Sequence, residues 1–332
     1  MRASVTGIYG AYFLVRLEEG PREPILAKPR GKLRIRGNQV RGEHMLAIGD
    51  RIEVQLLDEE KESGKDEEFG AYILEALPRE NSFRRASPVR TQILGANLDC
   101  IVFVTSIDDP PFNEGLLGRI QVEATLSHIP LAVVLNKTDL KEKNPEKKEE
   151  YAIIEQKLEY FKQFGVVIFY ESLHHGLSAS LQSFFTQGRY LTCGESGVGK
   201  STLLNSFAGN ALQVVGETGQ TGMGRHTTTN PVLYEFPGGV EIIDIPGIRE
   251  FGMVHREPAS LSGGFADFAP YSCRFDNCLH INEPDCGVKD AVTQGIIPEA
   301  RYRFYEQLVT SCSERYKPRR GDYRREPSSG SG

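Results

Sequence analysis

The sequence predicts three consecutive domains: an N-terminal β-barrel, a central doubly wound α/β domain and a short cysteine-bearing module that ends in helix. Short strand-like runs without helical periodicity occupy about the first eighty residues. From Leu98 onward, buried strands alternate with helical segments, as in a parallel sheet covered by helices. Three of the six cysteines lie between Cys273 and Cys286. We therefore assign residues 1–80 to the barrel, 81–90 to a linker, 91–253 to the α/β domain, and 254–332 to the cysteine module with its basic tail.

The bulk composition is that of a globular protein. Of the 332 residues, 39% are hydrophobic and 25% are charged, and the formal net charge is -6. That charge excludes a protein that coats nucleic acid through its overall charge, but it allows local basic patches. No apolar run reaches the roughly 18 residues of a membrane helix, the N-terminus lacks the pattern of a secretory signal, and the cysteine content does not suggest a disulfide scaffold. We expect a cytoplasmic monomer without a membrane partner.

The barrel prediction depends on strand-like runs separated by turn signals. A five-stranded oligonucleotide-binding (OB) barrel is the first interpretation, and another small β module is the alternative. The charged segment Asp58–Glu68 is interpreted as a solvated insertion, and the arginine-rich segment Pro78–Arg90 as a linker. The predicted runs are Val5–Leu17, Lys32–Val40, Asp50–Leu57 and Gly70–Leu77.

The central domain shows buried strands separated by amphipathic helices, which predicts a doubly wound parallel sheet. The predicted helices are Glu114–Leu126 and Tyr151–Gly165. The predicted strands are Asp99–Ser106, Pro130–Leu135, Val166–Tyr170, Arg189–Cys193 and Val240–Ile245.

A phosphate-binding loop is indicated by the match of Gly194–Ser201 to G-x-x-x-x-G-K-[ST], between a predicted strand and a predicted helix. Glycines permit the tight turn that aims backbone N–H groups at phosphate oxygens, and the helix N-terminus favours the anion. Lys200 is expected to bind the β- and γ-phosphates and Ser201 to ligate Mg²⁺. The expected nucleotide contacts are Gly194, Glu195, Ser196, Gly197, Val198, Gly199, Lys200, Ser201 and Thr202.

Guanine specificity is predicted by Asn136-Lys137-Thr138-Asp139, which follows a buried strand. A carboxylate at Asp139 can accept hydrogen bonds from N1–H and the 2-amino group of guanine, whereas adenine offers neither donor. Asn136 either contacts the major-groove edge of guanine or holds the loops together. The aliphatic stem of Lys137 is expected to cover the base.

A third nucleotide segment is Asp244-Ile-Pro-Gly247, after another predicted strand. Asp244 is expected to hold Mg²⁺ through water, and the N–H of Gly247 to sense the γ-phosphate. Thr228, in the polar run Gly224–Thr229, is expected to complete the Mg²⁺ ligands together with Ser201.

Hydrolysis is predicted to be slow in the isolated protein. Many GTPases carry a glutamine after the glycine of this segment to orient water, and this chain carries Ile248. His226 is the titratable candidate for that catalytic role, and a role as a partner contact is equally compatible with its position.

The order of these segments predicts a circularly permuted GTPase domain. Asn136 precedes Lys200 in the chain, whereas the common GTPase arrangement places the phosphate loop first. Folds tolerate such permutation because termini often lie close together. The five nucleotide motifs therefore occur in the order fourth, fifth, first, second, third, and the γ-phosphate segment leads directly into the cysteine module.

The cysteine module offers a tetrahedral donor set in the pattern Cys273-x4-Cys278-x-His280-x5-Cys286. Three thiolates and one imidazole suit one structural Zn²⁺ ion. Scattered free cysteines are the alternative. Cys100 and Cys193 are predicted to lie in the core, and Cys312 is unassigned.

Taken in order, these motifs resemble the ribosome small-subunit-dependent GTPases of the bacterial RsgA (YjeQ) family. The resemblance runs nearly end to end and includes S-x-D-D-P-P-F at Ser106–Phe112 and D-I-P-G-I-R-E-F-G at Asp244–Gly252. It implies GTP and GDP binding, association with the small (30S) ribosomal subunit and its 16S-type rRNA, and a role late in subunit assembly. The fifth motif departs from the family pattern, with Glu171-Ser172-Leu173 in place of Ser-Ala-Lys, so Ser172 is the base-contact candidate.

Ribosome binding by an acidic chain requires local basic patches. The basic tail Arg315–Arg325 is one candidate, and a basic patch on the barrel is the second. A solvated strand face is the alternative interpretation of the barrel patch. The barrel residues of that second patch are Lys28, Arg30, Lys32, Arg34, Arg36 and Arg41.

Two rival functions remain open from the sequence. One is an RNA-binding protein that uses GTP as a structural ligand, and single-turnover phosphate release separates it from an enzyme. The other is a permuted GTPase with a partner other than the ribosome, which co-sedimentation with subunits addresses.

Overall fold

The structure is a computed structural model, and it describes residues 1–20, 23–35, 46–57, 69–86, 91–208, 213–215, 231–248, 251–253 and 257–315. The chain divides into two compact units, residues 1–252 and 253–332.

The N-terminal strands form a closed five-stranded barrel with the order β1-β2-β3-β5-β4, in which β1 also pairs with β4. This confirms the predicted OB-type barrel. Small and β-branched side chains such as Ala3, Val5 and Ile73 fill its interior and are fully buried. The strands are β1 Arg2–Tyr9, β2 Tyr12–Leu17, β3 Ile25–Ile35, β4 Arg51–Leu56 and β5 Ala71–Ala76.

Two strand predictions in the barrel were wrong in extent. The run Val5–Leu17 is a hairpin of two strands joined by a turn at Gly10 and Ala11. The third strand begins at Ile25 rather than Lys32. It can contain Pro29 because this residue lies at an irregularity in the pairing with β5, where a ladder N–H is not required. The predicted insertion Asp58–Glu68 and the end of the run Lys32–Val40 lie outside the described residues.

The segment interpreted as a linker contains a strand, so that interpretation was wrong. β6 (Ser82–Ala86) pairs antiparallel with β7 (Thr91–Ala96). The segment is rich in arginine and has few apolar residues, which is typical of a linker. Its Phe83 is nevertheless fully buried and stacks on Phe251, with ring centroids 5.3 Å apart. The N–H of Ala86 also donates to the Gly252 carbonyl at 2.8 Å.

A seven-stranded sheet forms the centre of the first unit, in the order β10-β9-β8-β11-β14-β13-β12. Five strands are parallel as predicted, while β13 and β12 add an antiparallel edge that the sequence analysis missed. Every residue of β8 and β9 is buried, which explains their continuous apolar runs. The strands are β8 Cys100–Ser106, β9 Leu131–Asn136, β10 Val167–Tyr170, β11 Gly188–Cys193, β12 Gln213–Val215, β13 Val232–Phe236 and β14 Val240–Asp244.

Helices connect these strands. The first has the predicted bounds, and Asn113 caps it by accepting a hydrogen bond from the Leu116 N–H at 3.0 Å. Short 3₁₀ turns occur at Pro145–Lys147 and Leu173–His175. The helices are α1 Glu114–Leu126, α2 Leu140–Lys143, α3 Lys148–Lys162, α4 Ala179–Phe184 and α5 Lys200–Ala208.

Ion pairs join the barrel to the sheet. Arg16 on β2 pairs with Glu235 on β13 and Glu241 on β14. Arg189 on β11 contacts Glu241 at 2.7 Å and donates to the Gly49 carbonyl of the barrel at 2.9 Å. Burial raises the pKa of Glu241, but the two guanidinium groups outweigh it and leave the pKa below its ordinary value.

The second unit contains a 3₁₀ segment, Pro258–Gly264, followed by α6 (Gly287–Thr293) and α7 (Glu299–Arg315). Phe265 packs at 5.0 Å from both Phe268 and Tyr305, measured between ring centroids. Among the described residues, no helix combines the length and the apolar composition that a bilayer crossing requires.

Candidate nucleotide site and metal site

The phosphate loop lies between β11 and α5, at the carboxyl edge of the parallel strands, as predicted. Gly199 has a φ of +110°, and a Cβ there would lie 2.2 Å from Nδ2 of Asn136. Only glycine fits this approach of the loop to the end of β9. Val198 is buried in the sheet core, whereas Ser196, Gly197 and Ser201 are exposed along the loop. An exposed row of backbone and hydroxyl groups at a helix N-terminus is suited to an anion.

Lys200 begins α5 and folds back over the phosphate loop. Its Nζ donates to the carbonyl oxygens of Gly194 at 2.9 Å and Glu195 at 2.8 Å. Burial lowers the pKa of Lys200, while the nearby carboxylate of Asp244 acts in the opposite direction. The loop therefore holds the partly desolvated ammonium group of Lys200 at the place where phosphate oxygens would bind.

Asp244 ends β14, the strand adjacent to β11. The hydroxyl of Thr192 donates to its Oδ1 at 2.9 Å. Burial raises the pKa of Asp244, whereas Thr192 and Lys200 lower it. Such a half-buried carboxylate is suited to a hydrated cation.

The segment after Asp244 runs against the phosphate loop. A Cβ on Gly247 would lie 2.9 Å from the Ser196 nitrogen, so the two backbones are in close contact. The N–H of Ile248 donates to the Gly194 carbonyl at 2.9 Å, and the Ile248 side chain is buried. Ile248 therefore faces the core and presents no polar group to water.

Asn136 joins two loops through its side-chain amide. Its Nδ2 donates to the Val198 carbonyl at 2.8 Å, and its Oδ1 accepts from the Leu173 N–H at 2.9 Å. Of the two roles considered from the sequence, these contacts match the one in which Asn136 holds the loops together.

Asp139 lies beside the Glu171–Leu173 segment that replaces the usual fifth motif. Ser172 Oγ accepts from the Asp139 N–H at 3.0 Å and lies 3.0 Å from Thr138 Oγ1. The Oδ1 atom of Asp139 is buried and has no hydrogen-bond partner within the described part of the chain. This orphaned oxygen is an acceptor available to a ligand.

Two neighbours of Asp139 were missed in the sequence analysis. Lys143 Nζ contacts Asp139 Oδ2 at 2.6 Å, and Nδ1 of His174 lies 3.7 Å from Oδ1. Burial alone raises the pKa of Asp139, but Lys143 and His174 lower it below its ordinary value. The i, i+4 spacing of Asp139 and Lys143 could have signalled the first contact. No local pattern signals the second.

Two predicted site residues lie outside the described residues. These are Thr228 and His226, so the predicted Mg²⁺ ligand and the catalytic candidate stay predictions. Thr202 is half-buried in the first turn of α5.

The predicted zinc donors come together in the second unit. The ligand atoms of Cys273, Cys278, His280 and Cys286 all lie within 4.8 Å of one another. Cys273 and Cys286 Sγ are 3.7 Å apart, and each lies 3.4 Å from His280 Nδ1. Zn–S bonds of about 2.3 Å in a tetrahedron require about 3.8 Å between sulfurs, so the donors fit zinc.

Hydroxyl groups hold the backbone of this site. Tyr305 Oη donates to the Leu279 carbonyl at 2.7 Å, and Tyr302 Oη donates to the His280 carbonyl at 2.5 Å. Helix α7 therefore fixes the segment that carries Cys278 and His280. The other three cysteines, Cys100, Cys193 and Cys312, are buried and do not belong to the cluster.

Basic and aromatic side chains share one part of the barrel. Lys28 Nζ lies 5.9 Å from the ring centroid of Tyr12 and 5.7 Å from that of Phe69, and the Arg30 guanidinium lies 5.8 Å from that of Tyr72. The rest of the predicted patch and the basic tail fall outside the description: the side chains of Lys32 and Arg34, all of Arg36 and Arg41, and the tail beyond Arg315.

Comparison with known proteins identifies the family. A sequence model of the family described as RsgA GTPase matches residues 76–254. The protein of Chlorobaculum parvum named small ribosomal subunit biogenesis GTPase RsgA is 34% identical over 320 residues, which cover 93% of this chain and 97% of that protein. The protein of the same name from Paraburkholderia phymatum is 32% identical over 321 residues, covering 95% and 92%.

Solved structures agree with the sequence relatives. The crystal structure of YjeQ from Thermotoga maritima has a TM-score of 0.68 and 28% identity, covering 95% of this chain and 99% of that one. The crystal structure of YloQ, a circularly permuted GTPase, has a TM-score of 0.66 at 24% identity and covers 96% of both chains, which supports the fold alone. The chain belongs to the RsgA GTPase family and is a circularly permuted GTP hydrolase.

Proposed function

We propose that this chain binds GTP with Mg²⁺, hydrolyses it to GDP and phosphate, and acts on the small ribosomal subunit during its late maturation. The single observation that supports guanine binding most strongly is the buried Oδ1 of Asp139, which has no hydrogen-bond partner among the residues that the structure describes. A buried acceptor is costly to leave unpaired, so a ligand that donates there gains affinity. Guanine supplies that donor and adenine does not.

Phosphate binding is assigned to Gly194–Ser201. Lys200 Nζ, now bonded to two loop carbonyls, would bind the β- and γ-phosphate oxygens. Ser201 and Thr228 would ligate Mg²⁺, and Asp244 would hold it through water. The bound ion supplies charge neutralisation for the phosphates. The donors present, a hydroxyl at a helix start and a half-buried carboxylate, fit a hard cation.

Hydrolysis needs a group that orients the attacking water, and Ile248 cannot provide it because it is apolar and buried. We assign this step to His226 or to a group donated by the partner. Gly247 would sense the γ-phosphate, and its contact with the phosphate loop supports this role. Slow turnover in the free protein and acceleration by the partner are the expected consequences.

The ribosomal partner is inferred from the names of the relatives, which describe them as GTPases of small ribosomal subunit biogenesis. The basic and aromatic side chains of the barrel support it, because bases stack on aromatic rings while cations bind phosphates. In the barrel these are Lys28, Arg30, Tyr12 and Tyr72. A role on the subunit implies a cytoplasmic location.

We further propose that the cluster Cys273, Cys278, His280 and Cys286 holds one structural Zn²⁺. The sulfur–sulfur and sulfur–nitrogen distances support tetrahedral coordination with no open position.

Co-sedimentation with purified small subunits tests the ribosomal proposal. We expect the chain to pellet with small subunits in a non-hydrolysable GTP analogue, and less so in GDP. Lys28→Ala combined with Arg30→Ala should weaken binding and reduce its salt dependence, while Lys162→Ala, an exposed lysine on α3, serves as the control. Failure to pellet in either nucleotide, with GTP hydrolysis intact, would favour a partner other than the ribosome. Binding without any hydrolysis would favour an RNA-binding protein that uses GTP as a structural ligand.

A further inference from the structure

The loop Ser106–Asn113, between β8 and α1, contains the S-x-D-D-P-P-F motif, to which the function above assigns no role. It contacts the phosphate loop through one hydrogen bond, and its Pro110 lies near Gly197 of that loop. Asn113 Nδ2 donates to Glu195 Oε1 at 3.1 Å. Pro110 Cδ lies 3.9 Å from the position that a Cβ on Gly197 would occupy.

The same loop holds Lys137, the lysine of the N-K-x-D motif. Lys137 Nζ donates to the Asp109 carbonyl and lies 3.8 Å from Asp109 Oδ2. Ser106 Oγ donates to the same carbonyl at 3.0 Å, which fixes its direction. The Lys137 side chain is therefore ordered in the folded protein, and the side-chain entropy that a free lysine would lose on nucleotide binding is already lost.

Asp108 anchors this loop to the chain that follows the N-K-x-D motif. Its carboxylate accepts from Lys147 Nζ at 2.8 and 2.9 Å, from Tyr151 Oη at 2.9 Å and from Asn144 Nδ2 at 3.3 Å. The hydrogen bond from Lys147 holds the pKa of Asp108 below its ordinary value. Tyr151 is buried, so the anchor connects the loop to the core side of α3.

We propose that the Ser106–Asn113 loop is a third wall of the nucleotide site and that Asp108 is a positioning residue for it. Asp108 fixes the Asp109 carbonyl, the carbonyl fixes Lys137, and the Lys137 stem then covers the base in one conformation. The anchor thereby sets how long a guanine nucleotide stays bound. This inference rests on the proposed base-binding roles of Lys137 and Asp139.

The dissociation rate of a fluorescent GDP analogue, measured with the full chain and Mg²⁺, tests the proposal. Asp108→Asn keeps the shape of the side chain but removes the charge that holds Lys147. We expect dissociation about tenfold faster, because a displaced contact group loses much of its effect. Tyr151→Phe, which removes one hydrogen bond and keeps the ring, should act in the same direction and more weakly. The matched control is Glu155→Gln, which breaks the ion pair of α3 with Lys141 without touching the loop.

A double-mutant cycle separates positioning from loss of structure. Lys137→Met should itself accelerate dissociation, and adding Asp108→Asn to it should have no further effect, because Asp108 acts through Lys137. Dissociation of the Asp108→Asn protein at the rate of the Glu155→Gln control would overturn the inference, and so would full additivity in the cycle. Asp139→Asn in the same assay separates the two proposals. If it leaves the preference for GDP over XDP unchanged, the base site itself is wrong. If it changes that preference while Asp108→Asn matches the control, only the loop proposal fails.

Discussion

We expect Asp139 to carry base recognition because, among the described residues, its Oδ1 is buried without a hydrogen-bond partner while its Oδ2 is held by Lys143. Asp139→Asn replaces an acceptor with a donor at the unpartnered position. We expect GTP affinity to fall by roughly 10²-fold or more and xanthine nucleotides, whose C2 oxygen accepts, to become preferred. Competition between GTP and XTP, measured by equilibrium binding, checks this. Unchanged GTP affinity would remove Asp139 from the base site.

Asp108 should also show a pH signature in stability. Its pKa is lowered in the folded protein from 3.8 by the hydrogen bond from Lys147. A lowered folded-state pKa contributes stability that is fully present above the unfolded pKa and is lost as pH falls through the folded one. Wild type should therefore be more stable than Asp108→Asn near neutral pH, and the difference should shrink below about pH 4. Urea unfolding of both proteins across this range measures it. A difference that stays constant with pH would contradict the ionic anchor.

At the residue scale, the sequence predicted the site segments whose residues are neighbours in the chain. The phosphate loop and the N-K-x-D run are contiguous, so their patterns are readable without a fold. Asp108 meets Lys147 and Tyr151 only because β8 and α3 come together. His174 meets Asp139 in the same way. Such contacts depend on tertiary structure and leave no local spacing.

At the scale of elements, the β6–β7 hairpin has a function that a linker would not have. It holds Phe251 and Gly252, the end of the segment that starts at Asp244 and crosses the phosphate loop at Gly247 and Ile248. The segment is therefore fixed at the phosphate loop and again at β6.

Phe83→Ala tests this attachment. Phe83 is fully buried and stacked on Phe251, so its truncation should destabilise the first unit by about 3–5 kcal/mol. Thermal unfolding monitors the loss, and Phe275→Ala, at an exposed aromatic in the second unit, is the control. A loss no larger than in the control would mean that the hairpin does not anchor the segment.

Elements with strong patterns were predicted well. Strands β8 and β9 are buried on both faces and read as continuous apolar runs, and α1 follows directly after its cap. The antiparallel strand β13 spans only five residues, and its buried positions, Leu233 and Phe236, are three apart, so it shows no alternating period. The first half of β3 was not predicted because it contains Pro29, and proline argues against a strand. The structure places Pro29 at an irregularity in the strand pairing, where proline is tolerated.

For the whole molecule, the zinc cluster should contribute folding energy to the second unit. Cys278→Ser removes one of four donors, so the protein should lose its zinc and the second unit should lose stability, because binding energy at a structural site is folding energy. Elemental analysis and thermal unfolding measure both effects. Cys312→Ser, which changes a buried thiol of the same unit outside the cluster, should retain one zinc. A wild-type protein without metal and with freely titratable native thiols would refute the site.

The permuted order of the motifs determines which parts of the chain are connected to one another. The segment Asp244–Gly252 ends the first unit, and the second unit begins at Met253. Ion pairs from Arg16 hold the barrel to β13 and β14, the two strands that lie between the Gly224–Thr229 run and Asp244. Arg16 therefore connects the barrel to the strand that ends at Asp244.

Single-turnover release of phosphate from GTP, with and without purified small ribosomal subunits, tests the central claim most directly. Because Ile248 is buried and apolar, the free chain should hydrolyse GTP slowly, and subunits should raise kcat rather than only lower KM. Each factor of ten corresponds to about 1.4 kcal/mol of transition-state stabilisation. His226→Ala should abolish most of this stimulation, with nucleotide and subunit binding retained, if His226 orients the water. Full stimulation of that variant would instead assign the step to a group donated by the ribosome. A rate that small subunits leave unchanged would contradict the account of a GTPase completed by its ribosomal partner.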